Sequence, residues 1–166
     1  MNNIIKIGGL IISTNQNFLL IDDDFDTVQV LSSYIKKIGF DGEIYESSTV
    51  EQGKELLEEH KIDYIICDYN LPSIEGIELL KYIRAQEAFA NIPFLMVSRY
   101  DDVNHMIESS KNGSSDYLTK PFTINQLGQK MVDGWKTHAL RLEDQKNLKL
   151  KVKDLEAEIK ILKEAV

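Results

Sequence analysis

Several short apolar runs in this sequence lead straight into residues that can hold a cation or handle a phosphoryl group. The run 18–21 passes into Asp22, Asp23 and Asp24, the run 64–67 into Asp68, and the run 94–97 into Ser98. Tyr117-Leu118 leads through Thr119 into Lys120 and Pro121. If those runs lie side by side in one sheet, acids, a hydroxyl and an amine converge on one edge. Three carboxylates gathered there repel one another, and each favours protonation unless a cation is supplied. Mg²⁺ suits such a set, with Mn²⁺ as a substitute, because it takes oxygen ligands octahedrally, needs few protein carboxylates and accepts phosphate oxygens. Asp22, Asp23 and Asp68 are the candidate ligands. An aspartate can also be the nucleophile that forms an aspartyl phosphate, with metal and amine offsetting charge on the transferred oxygens. Asp68 fits that role, with Lys120 as its countercharge.

The elements that must position these groups can be read from periodicity. Runs of strand length at 18–21, 43–45, 64–67, 94–97 and 117–118 imply five strands. Between them, apolar residues fall three and four apart, as in Val28, Leu31, Ile35 and Ile38, then Leu56 and Leu57, then Ile77, Leu80 and Ile83, the mark of amphipathic helices. Strict alternation of strand and helix predicts an α/β fold: a parallel sheet with helices on both faces, because parallel strands need crossover connections. Gly39 and Gly42 separate the first helix from the second strand, and Gly113 ends the helix before the fifth. Open sheets of this kind bind ligands beyond the carboxyl ends of their strands, where the candidate residues sit. Asp24 extends the acidic pair but is better placed to cap the helix beginning near Phe25.

Four motifs carry a resemblance to a known family: Leu19-Leu20-Ile21-Asp22-Asp23, Ile65-Ile66-Cys67-Asp68-Tyr69-Asn70-Leu71-Pro72, Met96-Val97-Ser98, and Asp116-Tyr117-Leu118-Thr119-Lys120-Pro121-Phe122. In this order and at strand ends, they make the chain resemble the receiver domains of two-component response regulators over 17–133. The resemblance implies a flavodoxin-like sheet of order 2-1-3-4-5 and Asp68 as phosphoacceptor. Asp22 and Asp23 would hold Mg²⁺ together with Asp68 and the backbone carbonyl of Asn70. Ser98 would hydrogen-bond the phosphoryl group, Lys120 would pair with it, and Tyr117 would be the aromatic that moves inward on phosphorylation. Lys120-Pro121 would be a cis peptide, which a tertiary amide makes accessible. The implied partners are a cognate histidine kinase or phosphotransfer protein and a downstream effector, and the implied role is signalling, with self-catalysed phosphorylation and dephosphorylation and no enzymatic turnover of a separate substrate. One position departs from the family. Directly after Ser98, where a small residue is usual, stands Arg99, whose guanidinium could shield or pair with an acyl phosphate and so modulate its rates.

A net charge of -8 and 28% charged residues in 166 argue against a nucleic-acid surface, which needs clustered Lys and Arg. No apolar stretch reaches bilayer length, so neither anchor nor signal peptide is expected. The single cysteine, Cys67, lies inside an apolar run and reads as a core residue, which fits a reducing, cytoplasmic setting. The division expected is a leader at 1–16, a receiver at 17–137 and a helical extension at 138–166. Residues 4–12 are more apolar than a free tail and suggest an added strand or contact surface, with a partly ordered leader as the plainer alternative. The last helix starts near Thr123 and meets no later proline. Leu148, Val152, Leu155, Ile159, Leu162 and Val166 alternate spacings of four and three, a heptad seam of the kind that favours a parallel two-stranded coiled coil and hence a homodimer. Lys151 with Glu156, and Glu158 with Lys163, are opposite charges at g and e positions. Upstream the heptad degrades at His138, Gln145 and Gly134, and Gly134 beside Trp135 suggests a bend or hinge.

Two other readings compete. Asp24-Phe25-Asp26-Thr27-Val28 resembles the Asp-x-Asp motif of haloacid-dehalogenase-type phosphatases, although that nucleophile should follow the strand directly, and here Asp22 and Asp23 intervene. The other is a dimeric scaffold with a receiver fold that no longer signals. The complete set of Asp22, Asp23, Asp68, Ser98 and Lys120 argues for retained chemistry.

Overall fold

The computed structural model describes residues 3–99 and 103–164; within the last helix, the side chains of 158, 159 and 161–164 lie outside that description. The chain opens with β1 (Ile4–Ile7) and β2 (Leu10–Ser13), then alternates: β3 (Phe18–Ile21), α1 (Phe25–Ile38), β4 (Ile44–Ser47), α2 (Val50–Glu59), β5 (Tyr64–Asp68), α3 (Gly76–Ala85), β6 (Phe94–Ser98), α4 (Val103–Lys111), β7 (Asp116–Thr119) and α5 (Ile124–Glu164). Strands β3 to β7 form one parallel sheet of order β4-β3-β5-β6-β7. Counted over those five strands, this is the expected 2-1-3-4-5 order.

The alternation of side chains along a strand explains the two-sided core. Leu19, Ile21, Ile65, Cys67, Phe94 and Met96 face one apolar cluster, which α2 and α3 close with Leu57, Leu79 and Ile83. Their neighbours Phe18, Leu20, Tyr64, Ile66, Leu95 and Val97 face a second cluster, closed by Leu31 and Ile35 of α1 and by Leu127, Met131 and Trp135 of α5. Every residue of β3, β5 and β6 is buried, so these strands read as apolar runs up to Asp68 and Ser98, the polar residues that end β5 and β6. Asp24 caps α1 as expected, its side chain accepting from Asp26 N, and Gly39 ends the helix in the left-handed region at φ 117°.

The leader is more ordered than one added strand. β1 and β2 pair antiparallel, and the turn between them is Gly8-Gly9, both at positive φ, which a two-residue hairpin requires. Ile12 is buried, and Ile5, Ile7 and Leu10 pack on the α1–α5 side of the core. The five-strand count therefore holds for the parallel sheet alone.

α5 begins with a reciprocal cap: Gln126 N donates to Thr123 Oγ1 at 3.3 Å, and Thr123 N donates to Gln126 Oε1 at 2.8 Å. The helix then runs unbroken through Gly134. The role that the structure gives Gly134 is steric. A Cβ at Gly134 would sit 2.3 Å from Tyr64 Oη, so glycine lets α5 lie directly on β5. Trp135 beside it stacks into an aromatic cluster, with ring centroids 4.7 Å from Tyr64 and 5.2 Å from Phe40.

The degraded heptad has a similar cause. His138 Nδ1 pairs with Asn91 O, and Asn91 Nδ2 donates to Gln145 Oε1 at 2.8 Å. Arg141 donates to Gly113 O at 2.8 Å. Arg84 Nε reaches the same carbonyl at 2.8 Å, and its Nη1 binds Ala90 O and Ile92 O. Burial first, and the facing Arg141 second, disfavour charge on Arg84. These positions bind the body of the protein. Farther out, Leu148, Val152 and Leu155 are 63%, 46% and 57% exposed. The side chains of Ile159 and Leu162, with those of Glu158 and Lys163, lie outside the described set, as does Val166 altogether.

Candidate functional site

The carboxyl ends of β3, β5, β6 and β7 converge as the strand-end rule requires. Asp22, Asp23, Asp68, Asn70, Arg99 and Lys120 line one cleft of about 260 Å³. Carboxylate oxygens of Asp22, Asp23 and Asp68 all lie within 4.8 Å of one another. Asp22 and Asp68 are buried, while Asp23 faces solvent. Registers fix the rest: Asp68 pairs with Val97, and Ser98 with Thr119, so the hydroxyl lies one strand over from the acid.

Lys120 is shared between the two buried acids, with Nζ 2.5 Å from Asp22 Oδ2 and 2.8 Å from Asp68 Oδ1. The Lys120-Pro121 peptide is cis, as the resemblance implied. Asp22 Oδ1 accepts from Asp24 N at 2.9 Å and Asp68 Oδ2 from Asn70 N at 2.9 Å. Asp68 Oδ1 is buried, and the polar group that meets it among the described residues is Lys120 Nζ. Burial pushes the Asp68 carboxyl above its ordinary range; Lys120 pulls it back only in part, and Asp22 adds to the rise. Burial also acts against charge on Lys120, but its hydrogen bonds to Asp22 and Asp68 and their charges outweigh it, so its pKa is raised. The three carboxylates, only partly balanced by one amine, form an oxygen donor set that a hard divalent cation fits.

Sequence reasoning did not reach several contacts. Asn70 contributes its side chain, with Nδ2 donating to Ser98 Oγ at 3.1 Å. Gly76 lets α3 pass close to the site, since a Cβ there would lie 2.1 Å from Asp68 O. Tyr69 donates to Glu108 at 2.8 Å and stacks on His105 with centroids 4.1 Å apart, which ties the residue after Asp68 to α4. Tyr117 is only 6% exposed, so it is already inside. Arg99, expected near the site, lies at its mouth and pairs with Asp24 at 2.9 Å.

A five-stranded parallel sheet with this order and an acid cleft at its carboxyl edge defines the receiver class of signalling domains. The response regulator receiver domain family matches residues 18–132, and the chain belongs to that family. Among its relatives, chemotaxis protein CheY-3 of Vibrio cholerae is 29% identical over 121 residues, covering 73% of this chain and 92% of that protein. The two-component response regulator-like APRR9 of Arabidopsis thaliana is 33% identical over 128 residues, covering 74% of this chain and 26% of that one. Of solved structures, the receiver domain of Francisella response regulator 1452 superposes with a TM-score of 0.63 at 30% identity, over 74% of this chain and 99% of that one. CheY4 of Vibrio cholerae gives 0.65 at 24% identity, over 72% and 98%. The dehalogenase-like reading falls with this result: Asp24 is occupied as a helix cap and in the pair with Arg99. Among the described residues, no helix is long and apolar enough to cross a membrane.

Proposed function

We propose that Asp68 accepts a phosphoryl group from a histidine kinase or phosphotransfer protein, and that the chain acts as a signalling switch without turning over a separate substrate. The observation that carries this reading is the buried Asp68 carboxylate, set among Asp22, Asp23 and Lys120 at the end of β5. Mg²⁺, or Mn²⁺ in its place, held by Asp22, Asp23, Asp68 and the Asn70 backbone carbonyl, supplies positive charge against the phosphoryl oxygens. Asp68 attacks phosphorus through a carboxylate oxygen as the bond from phosphorus to the donor's histidine nitrogen breaks, and that nitrogen keeps the electron pair. Lys120 Nζ, already between Asp22 and Asp68, turns onto the new group, whose charge at neutral pH is about -1.5 to -2. Ser98 Oγ, oriented by Asn70 Nδ2, donates to a phosphoryl oxygen. The shift at Ser98 is felt by Tyr117 on the adjoining strand and passes to α4, β7 and α5.

The output leaves through α5. We assign 1–16 to a packed leader, 17–137 to the receiver and 138–166 to the helical extension, with Leu148, Val152, Leu155, Ile159, Leu162 and Val166 as the seam of a parallel homodimer. A downstream effector domain or protein reads the geometry of that dimer.

Intact-mass measurement after exposure to a small acyl or amido phosphate tests the phosphoacceptor. The parent should gain one phosphoryl group with Mg²⁺ and none in chelator, and Asp68→Asn should gain none. Labelling of Asp68→Asn at the parental level would overturn the assignment, and an inert parent would favour the non-signalling scaffold. Lys120→Ala should still be labelled but should lose the change in hydrogen exchange across 98–122 that phosphorylation causes in the parent.

A further inference from the structure

The acid cleft has a second cation whose partner is not one of its acids. Arg99 lines the cleft with Asp22, Asp23, Asp68 and Lys120, yet its guanidinium is bound to Asp24, which lies outside the cluster. Asp24 is fixed where it is: Oδ1 accepts from Asp26 N at 3.2 Å, and Oδ2 accepts from Thr27 Oγ1 at 2.9 Å as well as from Arg99. The acid is therefore anchored to α1 by contacts that do not involve Arg99. Arg99 is the free member, with a side chain 65% exposed against 35% for Asp24. An exposed pair of this kind is weakly held and exchanges readily.

We propose that Arg99 is a latch on the phosphoryl group, parked on Asp24 in the resting protein and transferred to the aspartyl phosphate once it forms. This inference rests on Asp68 being the phosphoacceptor. In the resting cleft, the acids already share Lys120, and the guanidinium stays with the nearer, anchored carboxylate. Phosphorylation adds a dianion with three acceptor oxygens beside it, and a planar guanidinium binds two such oxygens at once, which the point charge of Lys120 cannot do. Asp24 cannot follow, so the pair separates at the arginine. In its new place, the side chain lies across the mouth of the cleft.

That position bears on hydrolysis. In the step it obstructs, a water oxygen bonds to phosphorus as the bond from phosphorus to the Asp68 oxygen breaks. The electron pair stays on the Asp68 carboxylate, and both of the water's protons leave with the inorganic phosphate, which shares them with solvent. A guanidinium across the mouth stands in the path of that water. It thus lengthens the phosphorylated state, and Asp24 sets how readily it is released to do so.

The experiment uses the whole chain and two readouts. The first is the half-life of the aspartyl phosphate after the donor is removed. Arg99→Ala should shorten it by about tenfold, equivalent to about 1.4 kcal/mol in the barrier, Arg99→Lys should restore it only in part, and Asp24→Asn, which keeps a capping side chain, should lengthen it. The second is the NMR signal of the Arg99 Nε–H, which does not depend on turnover: it should move on phosphorylation of the parent, and Asp24→Asn should shift it in the resting, metal-free protein. A parent that phosphorylates at Asp68 with a half-life indifferent to Arg99→Ala, or with an unmoved Arg99 signal, would overturn the latch alone. A parent that takes no phosphate at Asp68 would overturn the phosphoacceptor and the latch together.

Discussion

The two halves of α5 are one continuous helix with comparable apolar content and opposite circumstances. In the first, Leu127, Met131 and Trp135 are buried against the sheet, Val132 is buried beside Gly8 of the hairpin, and Gly134 lets Tyr64 approach. In the second, Leu148, Val152 and Leu155 stand in solvent at heptad spacing. The first half took its residues from the surface it lies on, whereas the second follows a repeat. Identity matters residue by residue in one, and only the pattern matters in the other.

That contrast sets the scale of the expected effects. Trp135→Ala removes the ring that Phe18, Phe40 and Tyr64 pack around and should cost about 3–5 kcal/mol in chemical denaturation. A loss below about 1 kcal/mol would show that the first half is no more committed to the core than the second. Gly134→Ala comes next, at about 1–3 kcal/mol, because the added methyl meets Tyr64 Oη and α5 or Tyr64 must shift. A stabilised Gly134→Ala, as helix propensity alone would give, would break the packing explanation.

Leu155→Lys should leave the denaturation midpoint of the receiver unchanged while weakening dimerisation at least about tenfold in sedimentation, by about 1.4 kcal/mol. Unaltered association would remove Leu155 from any seam. The smallest effect belongs to the joint between the halves. Arg141→Gln loses a hydrogen bond to Gly113 O but also removes a like charge facing Arg84, so the net change should stay within about 1 kcal/mol. Hydrogen exchange should nevertheless rise over 142–150, where the helix leaves the body.

The acid edge was legible in the sequence because a rule turns strand ends into neighbours in space; Asp22, Asp68, Ser98 and Lys120 each needed only the end of an apolar run to be placed. The sheet order followed once the motifs identified the family. What escaped were contacts whose reason lies far along the chain. Gly134 reads locally as a helix weakness, and nothing near it announces Tyr64. His138 and Gln145 read as a failing heptad because Asn91, which they serve, is not their neighbour in sequence, and nothing near Arg141 announces Gly113. Arg99 announced itself as a departure, but its partner Asp24 had a sufficient role as a cap. The hairpin is a different case, since Gly8-Gly9 between two apolar runs is a turn signal that local reading could have used.

The carbonyl of Gly113 accepts from both Arg84 and Arg141, and it lies two residues past the end of α4. Mechanically, that makes α5 a lever with a fulcrum and a point of applied force. The fulcrum is Trp135, wedged in its aromatic cluster. At about 1.5 Å of rise per residue, Arg141 lies about 9 Å beyond it and Leu155 about 30 Å. A rigid helix pushed at Gly113 by a given amount would swing its far end through about three times that distance. The helix gains travel at Leu155 at the expense of force, which suits a device that rearranges weakly held partners better than one that must pry apart a strong interface.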